Sequence, residues 1–322
     1  MHHMRAAVRH NGLMADNAST AVAAKGGAVD KGDAALRVSV VVCTLRRPES
    51  VAVALEALAA CRPKPFEVLV VDGDTERSAQ AATAAGAGVI YVPSAPGLTH
   101  QRNVALAATN GDVVMFLDDD ARPAPDLFAR LPASYDDPGV VGATGRVIEP
   151  HSHAVGHQTS RLRRALFGTR REGTFTRFGY PRRLTFLDTP RRVEFMPGCF
   201  MSARLAPARQ VGFDERLTGY GLAEDEDFSY RLSRLGPITY DPSLVVVHDN
   251  SGFAGSDTRS FSARVVVNRV YLFRKNFPQT PATRLQFAGF VLLLAIHRML
   301  NLDGRGVLGI FDGVREVRRG HP

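Results

Sequence analysis

The sequence predicts an α/β fold: a mixed, mostly parallel sheet flanked by helices, with a helical extension towards the C-terminal end. Three observations carry that expectation. Apolar runs of strand length recur at 38–44, 66–72 and 112–117. Segments with helical spacing separate them, the pattern of βαβ units. The runs are apolar through most of their length, with polar residues at or near their ends, and do not alternate, as in strands buried on both faces of a parallel sheet.

Residues 1–36 are rich in Ala, Gly, Asp, Asn and His without periodicity and read as a disordered lead. Val38–Thr44 is the first buried strand. Pro48 opens a helix with Val51, Leu55 and Leu58 on one face, ending near Arg62-Pro63. Phe66–Asp72 is a second strand, and an Ala-rich helix follows to Gly86. Gly88–Val92 is a short strand, Leu98–Thr109 a helix, and Asp112–Leu117 the fourth strand. Beyond it, 139–148 reads as a strand pair or one bent strand, and Val193–Arg204 as a strand interrupted by Pro197-Gly198. Gly212–Glu215 is a turn. Phe228, Leu232 and Leu235 share a helix face that stops at Gly236-Pro237, and Leu244–His248 is a last apolar strand. Arg264–Phe277 is a basic amphipathic helix, with Val266, Val270 and Phe273 opposite Arg264, Arg269, Arg274 and Lys275. Leu285–Leu300 holds ten consecutive apolar residues, too few to span a bilayer. It is expected to pack internally, with a monotopic membrane contact as the alternative. Gly304–Arg319 is a final helix.

The composition, 45% hydrophobic and 22% charged, is that of a soluble globular protein. Three cysteines (Cys43, Cys61, Cys199) do not build a disulfide framework, and no N-terminal run has signal-peptide length, so a cytoplasmic setting is expected. The formal net charge of +8 is local: ten arginines between Arg161 and Arg192 against Glu172 and Asp188 account for all of it. With only four lysines in the chain, the positive charge is guanidinium, the better bidentate partner for phosphate. An anionic partner is one reading of that window, and a solvated basic loop is the other.

The fourth strand runs straight into Asp118-Asp119-Asp120. In open α/β sheets ligands bind at this edge. If the strand end is extended, Asp118 and Asp120 project to one side and Asp119 to the other. Two hard oxygen ligands so spaced suit Mg²⁺ or Mn²⁺, which can also hold a diphosphate; a solvated acidic turn is the competing account. Glu224-Asp225-Glu226-Asp227 opens a helix, where acidic residues serve capping and the macrodipole. Four in a row exceed that need, and their repulsion would suit a general base. His248 ends a strand as either a hydrogen-bonding residue or a ligand. His151, His153 and His157 read as loop histidines, with metal binding the alternative. Cys43 reads as core. Neither the Gly-rich dinucleotide fingerprint nor the P-loop follows the first strand.

Taken in order, Val40–Thr44, Val70–Asp74, Gly97–Asn103, Phe116–Asp120, Pro197-Gly198-Cys199, Gly212–Glu215, Glu224–Phe228 and His248 resemble a family 2 glycosyltransferase with a GT-A fold, over about residues 38 to 275. The resemblance implies a catalytic domain at 37–256, with a nucleotide-binding half at 37–125 and an acceptor half at 126–256 that carries the Arg161–Arg192 insertion. Residues 257–322 would form the C-terminal helical region. It further implies that Thr44 and Asp72 line the nucleoside pocket, Asp72 reading the base edge, while Arg102 and Asn103 close the base and phosphate side. Asp118 would contact the ribose with Asp119 beside it on the donor, and Asp120 and His248 would hold Mg²⁺ or Mn²⁺. Gly198 would approach donor sugar or acceptor, and Asp225 would be the general base. Glu224, Arg182 and Arg183 are expected on the acceptor side. Asp72-Gly73-Asp74 departs from the family's usual pattern, and the Arg-rich insertion is not part of it.

The implied activity is inverting transfer of a sugar from a nucleotide-sugar donor to an acceptor hydroxyl. Apart from the resemblance, the Arg-rich window and the apolar C-terminal helix suggest that the acceptor is a glycan, a glycolipid or another anionic or lipid-linked molecule, with the enzyme peripheral on the inner face of a membrane. Two rival functions are weaker. A sugar-phosphate nucleotidyltransferase needs a basic Gly-rich loop after the first strand, and the chain has none there. A nucleic-acid-binding protein would use the arginines with Phe167, Phe175, Phe178 and Tyr180, but would leave both acidic clusters unexplained, so no nucleic acid is expected.

Overall fold

Among the described residues, nine strands form one sheet: β1 (Val38–Thr44), β2 (Glu67–Asp72), β3 (Val89–Pro93), β4 (Val113–Asp118), β5 (Ala121–Pro123), β6 (Gly142–Ile148), β7 (Arg191–Val193), β8 (Phe200–Arg204) and β9 (Ile238–His248). Their order is β3-β2-β1-β4-β8-β6-β9-β5, with β7 also on β9. The computed structural model describes residues 35–84, 88–150, 172–184, 187–249 and 257–320. Residues 1–34, the three loop histidines, Phe167 and the Arg161–Arg171 arm of the basic window lie outside them. Ala35–Pro322 form a single compact unit.

The first four strands pair in parallel, as their continuous apolar character predicts. Both faces are covered. On one, Val40, Val42, Val113 and Met115 pack with Val51, Leu55 and Leu58 of α1 (Pro48–Ala60). Each of those three side chains contributes roughly 1.5–3 kcal/mol by burial. On the other face, Val41, Leu69, Val114 and Phe116 meet Ala105 and Leu106 of α3 (Leu98–Ala108), which follows the short α2 (Gln80–Ala84). The one-turn α4 (Leu127–Arg130) lies beyond β5.

Sheet register gathers the polar strand ends. Thr44 pairs with Asp72 and Cys43 with Asp118. β8 runs antiparallel to β4 with Phe200 opposite Leu117, which brings Gly198 beside the carboxylates. β9 runs antiparallel to β5 with His248 opposite Ala121, one residue from Asp120.

Several elements differ from expectation. The 139–148 segment is one bent strand, with the register against β9 shifting between Gly145 and Arg146. A Cβ on Gly145 would collide with the Leu244 carbonyl oxygen, so the bend requires glycine. The expected strand over Val193–Arg204 is two strands with different neighbours, β7 on β9 and β8 between β4 and β6. An unexpected helix, α5 (Leu205–Val211), precedes the Gly212 turn. The next helix, α6 (Glu224–Leu232), ends before Leu235, which is exposed.

Three helices complete the unit: α7 (Thr258–Asn276), α8 (Pro281–Leu300) and α9 (Gly304–Arg318). Arg269 of α7, expected on the polar face, instead turns inward to Glu226, because that buried carboxylate needs a counter-charge. The internal packing expected of α8 is also corrected. Only Thr283 and Phe287 are buried, and its long apolar residues face outward.

Candidate active site

β4 stops at Asp118 and Asp119-Asp120 form a turn, so the strand end is not extended as the expected alternation required, although Asp119 still faces away from His248. Asp119 turns to one side, where its carboxylate accepts from Thr44 Oγ1 at 2.7 Å and Arg47 Nη1 at 2.6 Å. Burial pushes its pKa up to about 6 against those two partners. Asp118 and Asp120 turn to the other side, towards His248, whose Nε2 lies 3.8 Å from Asp118 Oδ2 and 3.1 Å from Asp120 Oδ1. Burial raises the Asp118 pKa, more than Arg102 and His248 lower it. Burial acts the same way on Asp120, but hydrogen bonds from His248 and Arg47 outweigh it and hold that carboxyl at about 2. Burial would lower His248; its hydrogen bond to Asp120, with Cys199 and Glu149 nearby, raises it instead.

Asp118, Asp120 and His248 each offer one ligand atom within 4.8 Å of the others. Two carboxylate oxygens and an imidazole nitrogen so gathered fit a divalent cation bound at about 2.0–2.3 Å per ligand. Glu149 Oε1, 3.7 Å from His248 Nδ1, stands on the far side of the ring, where a carboxylate orients a ligating histidine. Asp118, which the resemblance puts on the ribose and the strand-end spacing beside Asp120 as a second oxygen ligand, offers one of the three ligand atoms.

The second acidic cluster is not a solvated first turn. Ala223, left-handed at φ 73°, starts α6 without a side-chain cap. Three of the four acids that follow are buried, and each has a cation. Glu224 accepts from Arg102 at 2.7 Å, Glu226 is paired with Arg269, and Asp227 with Arg231 and Lys275. Burial, then the charge of Asp225, pushes Glu224 up to about 8 despite Arg102; burial likewise pushes Glu226 up to about 7 despite Arg269. Asp225 is paired with no cation among the described residues. Its Oδ2 accepts from the Gly198 amide at 3.0 Å and its Oδ1 from the Glu226 amide at 2.8 Å. A carboxylate so aimed and unpaired can take a proton.

Both walls meet in one cavity of about 1240 Å³. Thr44, Asp118, Asp119, Asp120, Gly198, Glu224, Asp225 and His248 line it, and with Arg183 nine of the expected site residues are brought together. Arg182 does not line it: its guanidinium donates to Thr174 Oγ1 and the Phe175 carbonyl, bracing its own loop.

Three other expected contacts fall outside the lining, for visible reasons. Asp72 is fully buried and accepts from the Asp74 and Ala79 amides and from the Tyr91 hydroxyl, contacts that shape the loop after β2. Asn103 clamps the Phe213 backbone at both its N–H and its carbonyl and donates to Glu215. Arg102, 2% exposed, lies under the site over the rings of Phe116 and Phe213. It donates to Glu224, to Asp118 at 3.3 Å and to the Gly198 carbonyl at 3.1 Å. It joins the two walls and closes no part of the cavity.

Sequence reasoning missed Arg47 and Gln101. Arg47 bridges Asp119 and Asp120; its place just beyond the first strand's carboxyl end was the available signal. Gln101 donates to the Thr44 and Val71 carbonyls, tying α3 to the ends of β1 and β2.

The chain matches the glycosyl transferase family 2 over residues 39–210, rather more than half its length. It belongs to that family. As a family 2 glycosyltransferase it is a transferase enzyme, and its sheet and flanking helices are the GT-A fold. A curated relative, the pre-mycofactocin glycosyltransferase of Mycobacterium tuberculosis, is 28% identical over 164 residues, 50% of this chain. The chain spans about a third of that relative's length, 32%. Among solved structures it resembles a mannosyltransferase from Pyrobaculum calidifontis in complex with GDP-Man and Mn²⁺ (TM-score 0.52, 18% identity, 88% of this chain and 75% of that one). It also resembles GalNAc-T7 with UDP, GalNAc and Mn²⁺ (TM-score 0.53, 17% identity, 72% and 48%). A third likeness is to mannosyl-3-phosphoglycerate synthase from Rubrobacter xylanophilus (TM-score 0.51, 20% identity, 76% and 77%). At these identities the likeness shows the fold.

Proposed function

We propose that this glycosyltransferase inverts the anomeric centre, using a nucleotide-sugar donor, a divalent cation and Asp225 as general base. The observation that carries the reading is the contrast within α6: three acids are buried and neutralised, and Asp225 alone faces the cavity without a cation. Asp120, His248 and Asp118 are the residues to hold Mg²⁺ or Mn²⁺. Such an ion, when bound, offsets the charge of the departing diphosphate.

The chain's own residues do the rest. The acceptor hydroxyl passes its proton to Asp225 as its oxygen bonds to the anomeric carbon. The bond from that carbon to the diphosphate oxygen breaks on the opposite face, and the nucleoside diphosphate leaves. The Gly198 and Glu226 amides fix the carboxylate for that transfer. Arg47 holds Asp119 and Asp120 in place against their mutual repulsion.

The cavity lining mixes guanidinium with apolar wall: it includes Arg183 and Arg146, the latter paired with Asp188, as well as Leu184, Leu187, Phe261 and Val265. That lining suits an acceptor with both anionic and apolar parts, of the glycolipid or lipid-linked kind. GDP-Man and UDP, present in two of the similar solved structures, support the donor class.

A panel of nucleoside diphosphate sugars, with and without Mn²⁺, tests the donor reading by thermal shift. Ligand at about 100 times Kd stabilises by about 2.7 kcal/mol, roughly 5–10 °C here. A panel in which none raises the melting temperature contradicts it. Proton NMR of the product should show the anomeric configuration opposite to the donor's; retention would exclude a single displacement.

A further inference from the structure

The outer face of α8 has no partner in this chain among the described residues. Leu285, Leu292, Leu293, Ile296, Met299 and Leu300 recur at helical spacing on one side of it, from 40% to 78% exposed. A stripe of this kind along a 20-residue helix, about 30 Å long, exceeds the scattered apolar exposure of an ordinary surface. The inner face is occupied. Thr283 and Phe287 are buried, Phe287 stacks on Phe273 of α7 at 4.6 Å, and Phe290 meets the Tyr180 ring at 4.8 Å.

The neighbouring helix continues the surface. On α9, Leu308 and Phe311 are 51% and 55% exposed and share their face with Arg315 and Arg318, by the 3.6-residue period. The opposite face of α9 is fixed. A Cβ on Gly309 would overlap the Arg259 carbonyl oxygen of α7, and one on Gly313 would lie 2.6 Å from that of Ala263. The two helices form one surface, apolar along α8 and carrying Arg315 and Arg318 on the exposed face of α9.

We propose that this platform docks the enzyme on an anionic lipid bilayer surface, with α8 lying in the interface. Charge decides among occupants. α8 contains no Asp or Glu. Asp303 is held by Arg298 and Asp312 by Arg259, with Arg315 3.7 Å away; Glu316 on α9 is half-buried. Arg284, Arg318 and Arg319 make no ion pair among the described residues. Anionic headgroups complement such a rim. A second copy on the same patch would set Arg315 and Arg318 against their own counterparts across a twofold axis. α8 has the length and composition to cross a bilayer, but crossing would strip Phe287 and Phe290 from the rings they pack on.

Flotation of the full chain tests this, and it reads binding independently of transfer. Phosphatidylcholine vesicles are compared with vesicles that also contain phosphatidylglycerol, at low and high salt, with light scattering for oligomeric state. The protein should float with the anionic vesicles at low salt, and its partition should fall as salt screens the arginines. Leu292→Glu with Ile296→Glu should cut that partition at least tenfold at an unchanged melting temperature. Arg315→Glu with Arg318→Glu should cut it about fivefold per arginine. The proposal is overturned if the protein stays unbound with both vesicles, if equal binding to neutral lipid survives high salt, or if the Leu292/Ile296 variant floats like the parent. A stable dimer that this variant converts to monomer, without vesicle binding, would assign the face to a second copy instead.

Discussion

Replacing Arg102 by methionine isolates what joins the two walls of the site. Arg102 is 2% exposed and serves three acceptors: Glu224, Asp118 and the Gly198 carbonyl. Removing one member of a buried ion pair costs up to about 3–5 kcal/mol, the full amount where the partner carboxylates remain ionised and less where they take a proton instead. For a unit of this size that is a drop of up to about 10 °C in melting temperature. The loss has a pH signature. Burial and Asp225 raise Glu224 to about 8, with Arg102 pulling the other way, so without Arg102 it rises further. A carboxyl raised in the folded state contributes stability at low pH and loses it as pH climbs through the folded value. The parent completes that loss by about pH 8, whereas Arg102→Met continues to lose about 1.4 kcal/mol per unit above it. Melts between pH 6 and 9 should show the gap widening above pH 8. A variant within about 2 °C of the parent, or a gap that narrows at high pH, would refute the account of Arg102.

Further outcomes follow from single contacts. Gly145→Ala should destabilise by at least 2–3 kcal/mol in urea melts, since its Cβ has no space beside Leu244; an unchanged midpoint would mean that the bend in β6 can relax. Burial would raise Asp214, but Lys275 and Tyr271, at 2.6 Å and 2.5 Å, hold it at about 2. Its stabilisation is complete above the ordinary carboxylate range and lost as pH falls through about 2, so acid melts of Asp214→Asn should fall off less steeply below pH 4 than those of the parent. Equal slopes would contradict that. Asp120→Ala should lose the Mn²⁺-dependent part of nucleotide binding in calorimetry; a full Mn²⁺ response would remove Asp120 from the ligand set.

The fold was legible where strands are buried on both faces, because burial leaves continuous apolar runs such as 38–44 and 113–117. Asp118, Asp120, Asp225 and His248 were legible because they stand at strand or helix ends, where sequence position and cavity edge coincide. Asp72 and Arg102 show the limit. Both sit at the expected places, but their side chains turn into the protein to satisfy backbone amides and buried carboxylates. Side-chain direction at a strand end or along a helix depends on which neighbours need a charge, and those neighbours are distant in sequence: Glu224 lies 122 positions from Arg102. The outward face of α8 was hidden for a related reason. An apolar helix that packs on one side and is open on the other has the composition of a core helix.

The central claim is that one wall of the cavity holds the donor and Asp225, on the other, takes the acceptor's proton. Asp225→Asn keeps size and one of the two amide contacts, since its Nδ2 donates and cannot accept, while removing the base. Donor affinity by calorimetry should stay within about twofold, and single-turnover transfer should fall by on the order of 10²–10⁴. Near-parental turnover in Asp225→Asn with donor binding intact would contradict it.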